Sequence, residues 1–577
     1  MSDIDTPWVV DSAPNDRYPI YSRANVAEVA PNVVKPLFST MISGWRAENR
    51  WRRSLVKYGA FDEDEFRSED ADIMPVFYGY YYLNVSVHRV LGVRTPGVGA
   101  DAIDISFFGP NADVPPYQPH PDDDDPRFAD RVTASIGRIL GAKSRPDLDR
   151  DRDEAAALRA ARPDFASMTD AELVAYARFV IEEKFAGNHE KVYELTQESS
   201  IPIAMLHQAL SDVPEAPPLT ELLGGLGEID SAEPARALWD IARSVRTSRT
   251  LTAEFDRGVD GIEKRLETVE DGPEFLTRFA EFLYNFGSRG SSEWDICAPT
   301  WETHPRLPLA MIERLRLQAD SASPHAQQDR LRSERERLTE DVRRQLATDT
   351  AKLAAFDTAF EASKLYSGAR ERNKTTAVRV LQEARVALRV LSSRYVAKGF
   401  FSEPEDINMI REDELDLLID DPARYGKIAA ERLEWADRLQ QLEPPYVVNG
   451  TVPPPSTWKS KKQTDIEVAT SGEVLAGISA CPGVATGRAR IVENPDDAEN
   501  LDVGDILVAP MTDPGWMPLF MSAAAVVVNV GSELSHAAIA SRELGVPAVV
   551  GLSGATQRIP DGAMVRVDGA AGTVTVI

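Results

Sequence analysis

One break in composition constrains this chain more than any other feature. From Gln440 to Gly472 it reads QQLEPPYVVNGTVPPPSTWKSKKQTDIEVATSG, with prolines clustered at 444–445 and 453–455 and no helical or strand period. Proline fixes φ and lacks an N–H, so no regular element is expected to run through these clusters. Proline-rich chain extends by about 3 Å per residue, so residues 444–471 read as a linker reaching on the order of 80 Å. The text differs on its two sides, which predicts a multidomain protein: a large mainly α-helical domain over 1–443 and a compact domain over 472–577.

Upstream the pattern is helical. Thr169-Asp170-Ala171-Glu172 has the spacing of a capping box, with Met168 as a hydrophobic staple, and opens a periodic run from Leu173 to Phe185. Residues 327–363 and 375–398 read as two long charged helices. The aromatic stretch from Met74 to Val90, with Phe77, Tyr78, Tyr80, Tyr81 and Tyr82, fits a strand pair or a pocket wall, and as an aromatic cluster it is first of all core. Asp122 to Asp125, between prolines, read as a solvated acidic loop. Arg394 and Lys398 are four apart and project from one helix face, where two cations could clamp a phosphoryl group. Arg370, Arg372 and Lys374 add positive charge in an acidic chain. Arg289 and Glu293 lie in a glycine- and serine-rich segment able to bring a guanidinium and a carboxylate to a reacting hydroxyl. His88, His120, His189, His207, His304 and His325 have no ligand spacing and read as structural; no metal site is expected.

Downstream, short β-branched runs alternate with glycines: Val474 to Ile478, Gly487 to Val492, Asp505 to Ala509, Ala523 to Val530, Pro547 to Gly551, Met564 to Val567 and Thr573 to Ile577. Asp568-Gly569-Ala570-Ala571-Gly572 reads as a hairpin connection. One helix, from about Ala537 to Leu544, stops at Gly545 and Pro547. His536 stands at its entrance, where the first N–H groups lack intrahelical partners and the helix dipole is positive. Such a place keeps an imidazole neutral and welcomes an anion beside it. A neutral nucleophile next to an anion hole is what a covalent phosphohistidine requires.

Four stretches carry a resemblance: Ala480 to Ala489 (ACPGVATGRA), Asp505 to Pro510 (DILVAP), Thr512 to Trp516 (TDPGW) and Ser535 to Ala548 (SHAAIASRELGVPA). They resemble the phosphohistidine swivelling domain of the phosphoenolpyruvate-utilising enzymes, a β/β/α unit, and by that resemblance His536 carries phosphate. The family commonly has two glycines before the histidine loop; here Gly531 is followed by Ser532. Upstream, Tyr21 to Val29 with Arg23, Phe286 to Asp295, Ser367 to Arg372, Arg394 to Gly399 and Pro404 to Asp406 are similar to the acceptor-binding domain of the rifampicin phosphotransferase and phosphoenolpyruvate synthase group. The resemblance implies acceptor-binding roles for Arg23, Arg289, Glu293 and Arg370 and catalytic roles for Arg394 and Lys398. A histidine that family members often carry inside the second motif is Ser288 here, so its role does not transfer.

The chain has 64 Lys and Arg against 92 Asp and Glu, a net charge of −28. That argues against nucleic acid and anionic membranes as partners. Cys297 and Cys481 support neither a disulfide framework nor a Cys-based zinc site. The start has no basic or apolar leader and no stretch is long enough to span a bilayer, so a cytoplasmic protein is expected. Neither a Gly-x-x-x-x-Gly-Lys loop nor a (β/α)8 pattern is apparent. The set resembles one subunit of the split aryl-phosphate synthases. That likeness implies a phosphotransferase whose Mg and ATP sit on a separate ATP-grasp partner, like the N-terminal part of phosphoenolpyruvate synthase. The phosphate acceptor would be a hydroxyl of a small aromatic or otherwise apolar compound. The alternative is a non-catalytic phosphocarrier or regulator passing phosphate to another protein.

Overall fold

The computed structural model describes residues 4–24, 26–108, 114–211, 213–226, 233–296, 298–461, 467–493, 501–512, 514–531 and 535–577. In chain order the elements used below are β1 (Ile20–Ser22), α1 (Gly44–Tyr58), β2 (Val76–Phe77), β3 (Tyr80–Tyr81), β4 (Leu83–Asn84), α2 (Asp170–Phe179) and α3 (Ala186–Leu210). Then come α4 (Glu233–Thr247), α5 (Gly272–Phe286), α6 (Arg306–Arg316), α7 (Pro324–Leu346), α8 (Thr350–Ala397), α9 (Pro422–Gln440) and β5 (Val447–Asn449). The last part holds β6 (Val474–Ala476), β7 (Ile478–Cys481), β8 (Val484–Ile491), β9 (Ile506–Ala509), α10 (Met517–Ser522), β10 (Ala525–Val528), α11 (His536–Leu544), β11 (Ala548–Val550), β12 (Met564–Asp568) and β13 (Thr573–Val576).

The helix signals act as expected where they are local. Thr169 caps α2, taking the Glu172 N–H on Oγ1, while the Glu172 carboxylate takes the Thr169 N–H at 2.7 Å. The two long charged helices break elsewhere than their periodicity suggests. α7 ends at Leu346, and Asp349 accepts from the N–H groups of Ala351 and Lys352, opening a single 48-residue helix, α8. A cap thus sets the break inside a continuous apolar period.

The chain divides into two compact units. Unit 1 comprises 1–204, 294–297 and 365–464. Its core gathers Trp8, Tyr80, Tyr82, Leu173, Phe185, Leu381, Leu388, Tyr395 and Trp435 around α2, α8 and α9. β2 and β3 form a hairpin in which Tyr78 and Gly79 both take positive φ, and Tyr80, Tyr81 and Tyr82 are fully buried. The acidic loop is not wholly solvated: Asp123 is 2% exposed, paired with Arg17 and hydrogen-bonded to the Tyr117 hydroxyl at 2.6 Å, and Asp125 caps the following helix.

The expected linker is for the most part built into this unit. β5 joins an antiparallel sheet in the order β4-β1-β5, with Tyr21 opposite Val448. Leu442–Glu443 pairs with Lys459–Ser460, and Val448, Val452 and Trp458 enter the core. Tyr82 donates to Pro445 O at 3.0 Å, and Trp458 Nε1 to Pro453 O at 2.8 Å. Proline stops regular elements but not burial. Sinking each such apolar side chain contributes roughly 1.5–3 kcal/mol, enough to offset ordering its backbone at about 1–2 kcal/mol per residue. An 80 Å tether is therefore not available from 444–461.

Unit 2 comprises 205–293, 298–364 and 465–577, so the C-terminal sheet clusters with α4 to α7 and not as a separate body. The sheet has eight strands in the order β6-β13-β12-β8-β9-β10-β11-β7. β8 to β11 are parallel neighbours and the remaining pairs antiparallel, including the β12–β13 hairpin at 568–573. β9 and β10 are buried at every position, as central parallel strands must be. Leu507, Ala509, Val526 and Val528 pack with Phe520, Ala537 and Ala538; Ile506, Val508, Ala525 and Val527 pack with Val565, Val567 and Val574. The helical part has its own core of Leu238, Trp239, Phe275, Phe279, Phe282, Trp301 and Ile312.

Candidate functional site

The parallel order β9–β10 places two loops side by side at the carboxyl ends of neighbouring strands, where open α/β sheets hold their ligands. Thr512 follows β9, and Gly531, Ser535 and His536 follow β10. Gly531 has φ +153°, and a Cβ there would lie 3.0 Å from Ser535 Oγ and 3.1 Å from Val550 Cβ, so glycine is required. Ser532, the departure from the family pattern, lies outside the described residues. Ser535 is extended and caps α11, its Oγ 3.4 Å from Ala538 N. At the far end Gly545, φ +64°, closes the helix with its N–H on Arg542 O and the Val546 N–H on Ser541 O.

His536 is therefore the first residue of a nine-residue capped helix. The residue is half-buried; its Nδ1 lies 3.4 Å from Thr512 Oγ1, and Phe520 meets the ring edge-on at 6.3 Å between centroids. Nε2 is covered in this arrangement. Nδ1–H donating to Thr512 leaves the lone pair on Nε2, the tautomer a nucleophile at Nε2 needs. Thr512 stands inside the TDPGW motif, yet no residue pattern singles it out as the partner of His536; strand adjacency does.

The other expected site residues divide. Arg289 and Glu293 do come together, Nη1 lying 3.0 and 3.2 Å from the two carboxylate oxygens, and both are buried. Their loop touches the sheet part of the same unit: a Cβ on Gly515 would lie 2.7 Å from Gly290 C and Ser291 N. Two stretches far apart in sequence, 287–293 and the TDPGW turn, thus meet backbone to backbone. α10 and α11 also rest on α6 and α7, with Gln318 Nε2 donating to Met521 O at 2.6 Å and Gln327 beside Gly545.

Arg394 and Lys398 share a face as their spacing requires, but the anion they hold is a protein carboxylate. Arg394 donates to Asp170 Oδ1 at 2.8 Å and to the carbonyls of Phe165 and Ala166, and Lys398 lies 3.7 Å from Asp170. The expected phosphoryl clamp is a tie between α8 and the start of α2. Arg23 is buried, donating to the carbonyls of Tyr81, Ala30 and Pro31 and lying over the rings of Tyr80 and Tyr82, so burial pushes its pKa down. It organises the aromatic core. Arg370, half-buried on α8, has neither ion pair nor hydrogen bond among the described residues. Cys481 is a buried free thiol pushed up to about 12 by burial; Cys297 lies outside the described residues. No cluster of metal-ligating side chains occurs, and no helix is long and apolar enough to cross a membrane, among the described residues.

Residues 501–572, which contain β9 to β12 and His536, match the family model of the PEP-utilising enzyme mobile domain, and residues 195–371 match the rifampicin phosphotransferase fourth domain. The two matches support the PEP-utilising enzyme family, near rifampicin phosphotransferase. It is 30% identical over 355 residues to a rifampicin phosphotransferase of Bacillus cereus, covering 60% of this chain and 40% of the relative. A protein of Bacillus subtilis named as the uncharacterized phosphotransferase YvkC is 27% identical over 356 residues, covering 60% of this chain and 42% of its own length. An uncharacterized protein of Mycobacterium tuberculosis is 31% identical over 363 residues, covering 62% of this chain and 38% of its own. The chain spans under half the length of these curated relatives.

Proposed function

We propose that this protein is a phosphotransferase in which His536 Nε2 accepts a phosphoryl group and passes it to a hydroxyl of a small organic acceptor. The observation that carries the reading is the placement of His536. It is an imidazole on the first turn of a capped helix at the carboxyl end of a buried parallel strand, with Thr512 at Nδ1, inside the stretch that matches the mobile domain. Nε2 attacks the phosphorus, a P–N bond forms as the P–O bond to the donor breaks, and Nδ1–H stays on Thr512. The α11 dipole favours the phosphoryl charge. In the second step the acceptor oxygen attacks the same phosphorus, its proton leaves to solvent or a base, and the imidazole departs neutral. Mg and ATP are taken to act on a separate ATP-grasp partner, and the acceptor to be aromatic. Because Nε2 is covered here, charging requires the groups over it to move aside.

The test combines the protein with an ATP-grasp partner, Mg-ATP and candidate phenols. A phosphorylated small molecule that disappears with His536→Ala supports the reading. Phosphate found on protein alone, passed to a second protein, would favour a non-catalytic phosphocarrier. Absence of acid-labile phosphate on His536 with any partner would sink both.

A further inference from the structure

α1 carries four cations on one stripe, Arg46, Arg50, Arg53 and Lys57, and runs beside a matching stripe on the helices around α3. Three of them meet carboxylates: Arg46 to Glu182 at 2.8 Å, Arg53 to Glu190 at 2.5 Å and Lys57 to Glu194 at 2.8 Å. Arg50 is the exception. It is 5% exposed, the most buried of the four, and its Nη1 donates at 2.7 Å to Nδ1 of His189, with no carboxylate in ion-pair reach among the described residues.

His189 cannot neutralise it. A guanidinium only donates, so Nδ1 accepts and the proton of the neutral ring is on Nε2, which faces the Tyr193 hydroxyl at 3.1 Å. Burial and the Arg50 charge hold His189 well below its usual range, and Arg50 itself is pushed down to about 10, chiefly by burial. Among the described residues the ladder therefore gives its most desolvated cation no carboxylate within ion-pair distance, and Glu190, which pairs with Arg53, acts on it only from farther away. Removing such a charge from water is costly unless an anion meets it. Nε and Nη2 of Arg50 have no hydrogen-bond partner among the described residues and are not sealed from solvent. These two atoms form the side edge of the guanidinium, whose parallel N–H groups match two carboxylate oxygens. The surroundings are aromatic: Trp51 stacks on Tyr193 at 4.8 Å, and the His189 ring is 4.8 Å from that of Phe185 and 6.1 Å from that of Trp294.

We propose that Arg50 is the anchor of a ligand site in unit 1 for an aromatic compound bearing a carboxylate, gripped side-on by Nε and Nη2 while its ring meets the Trp51–Tyr193 and Trp294 side chains. This rests on the acceptor reading above and narrows it to an aromatic hydroxy acid. Arg50 is a binding residue and His189 a positioning residue that aims the guanidinium.

Trp51 and Trp294 supply a fluorescence signal, so the full chain is titrated with 4-hydroxybenzoate and with phenol, without nucleotide or partner. The expected result is 4-hydroxybenzoate binding at least about tenfold tighter than phenol. Arg50→Gln is expected to erase that preference while leaving phenol unchanged, and Arg50→Lys to keep part of it. Equal affinities for the two probes, binding of neither, or an Arg50→Gln chain that keeps the preference would overturn the assignment. The comparison of probes on the unaltered chain decides the matter even if Arg50→Gln does not fold. His536→Ala is expected to bind 4-hydroxybenzoate normally. A preference for the carboxylate without any phosphoryl transfer therefore defeats the phosphotransferase reading and not this site.

Discussion

At the residue scale the proposed phosphoryl transfer depends on which imidazole nitrogen is available. With Nδ1 as the donor, the 3.4 Å approach of Thr512 Oγ1 to His536 Nδ1 is the contact that leaves Nε2 as the nucleophile. Thr512→Val keeps the shape and removes the acceptor. One neutral hydrogen bond is worth about 1 kcal/mol, so phosphorylation of His536 should slow by about tenfold or less, with the melting temperature nearly unchanged. Acid-labile labelling in a time course measures it; an unchanged rate would remove Thr512 from the mechanism. The histidine itself was legible, because a capped helix start after a glycine turn is written in consecutive letters. Its partner was not, because Thr512 and His536 are brought together only by the pairing of β9 with β10.

At the scale of elements, charge that looked catalytic proves to hold helices together. Arg394 ties α8 to Asp170 at the start of α2 through three hydrogen bonds. Arg394→Met should lower stability by roughly 1–2 kcal/mol and leave His536 phosphorylation intact; denaturant unfolding and labelling together check this. A loss of labelling with unchanged stability would restore the clamp. A second tie has a pH signature. The Arg145 guanidinium, with burial opposing it and Lys191 assisting, holds Asp147 down to about 2 from an ordinary value near 3.8. A depressed carboxylate stabilises the fold above its unfolded pKa, and that contribution fades as pH falls from about 4 through about 2. Melting temperature followed over that window should drop less steeply in Asp147→Asn than in the parent chain. Equal slopes would refute the assignment. Spacing told that Arg394 and Lys398 share a face, and could not tell which anion stood opposite.

At the scale of the molecule, the contact between Gly515 and residues 290–291 joins the sheet of unit 2 to the loop that carries Arg289 and Glu293. Backbone meets backbone there, so Gly515→Val cannot be absorbed by a side-chain rotation. Hydrogen exchange of residues 287–293 should rise in that variant while the buried strands β9 and β10 stay protected. No change at 287–293 would show that the contact is dispensable in solution. What the letters alone determined is local: the cap of α2, the glycine stop of α11, the buried run of β10 and the histidine at a helix entrance, each decided by neighbours a few residues apart. Tertiary structure decided the rest. A proline-rich segment became a buried strap, because apolar burial outweighed its lack of regular structure. Arg394 found Asp170, because two helices distant in sequence were packed side by side. Among the described residues Arg50 has no carboxylate within ion-pair distance, because the ladder beside it places His189 at that rung. Burial and long-range pairing are properties of the packed chain, and no period in the sequence encodes them.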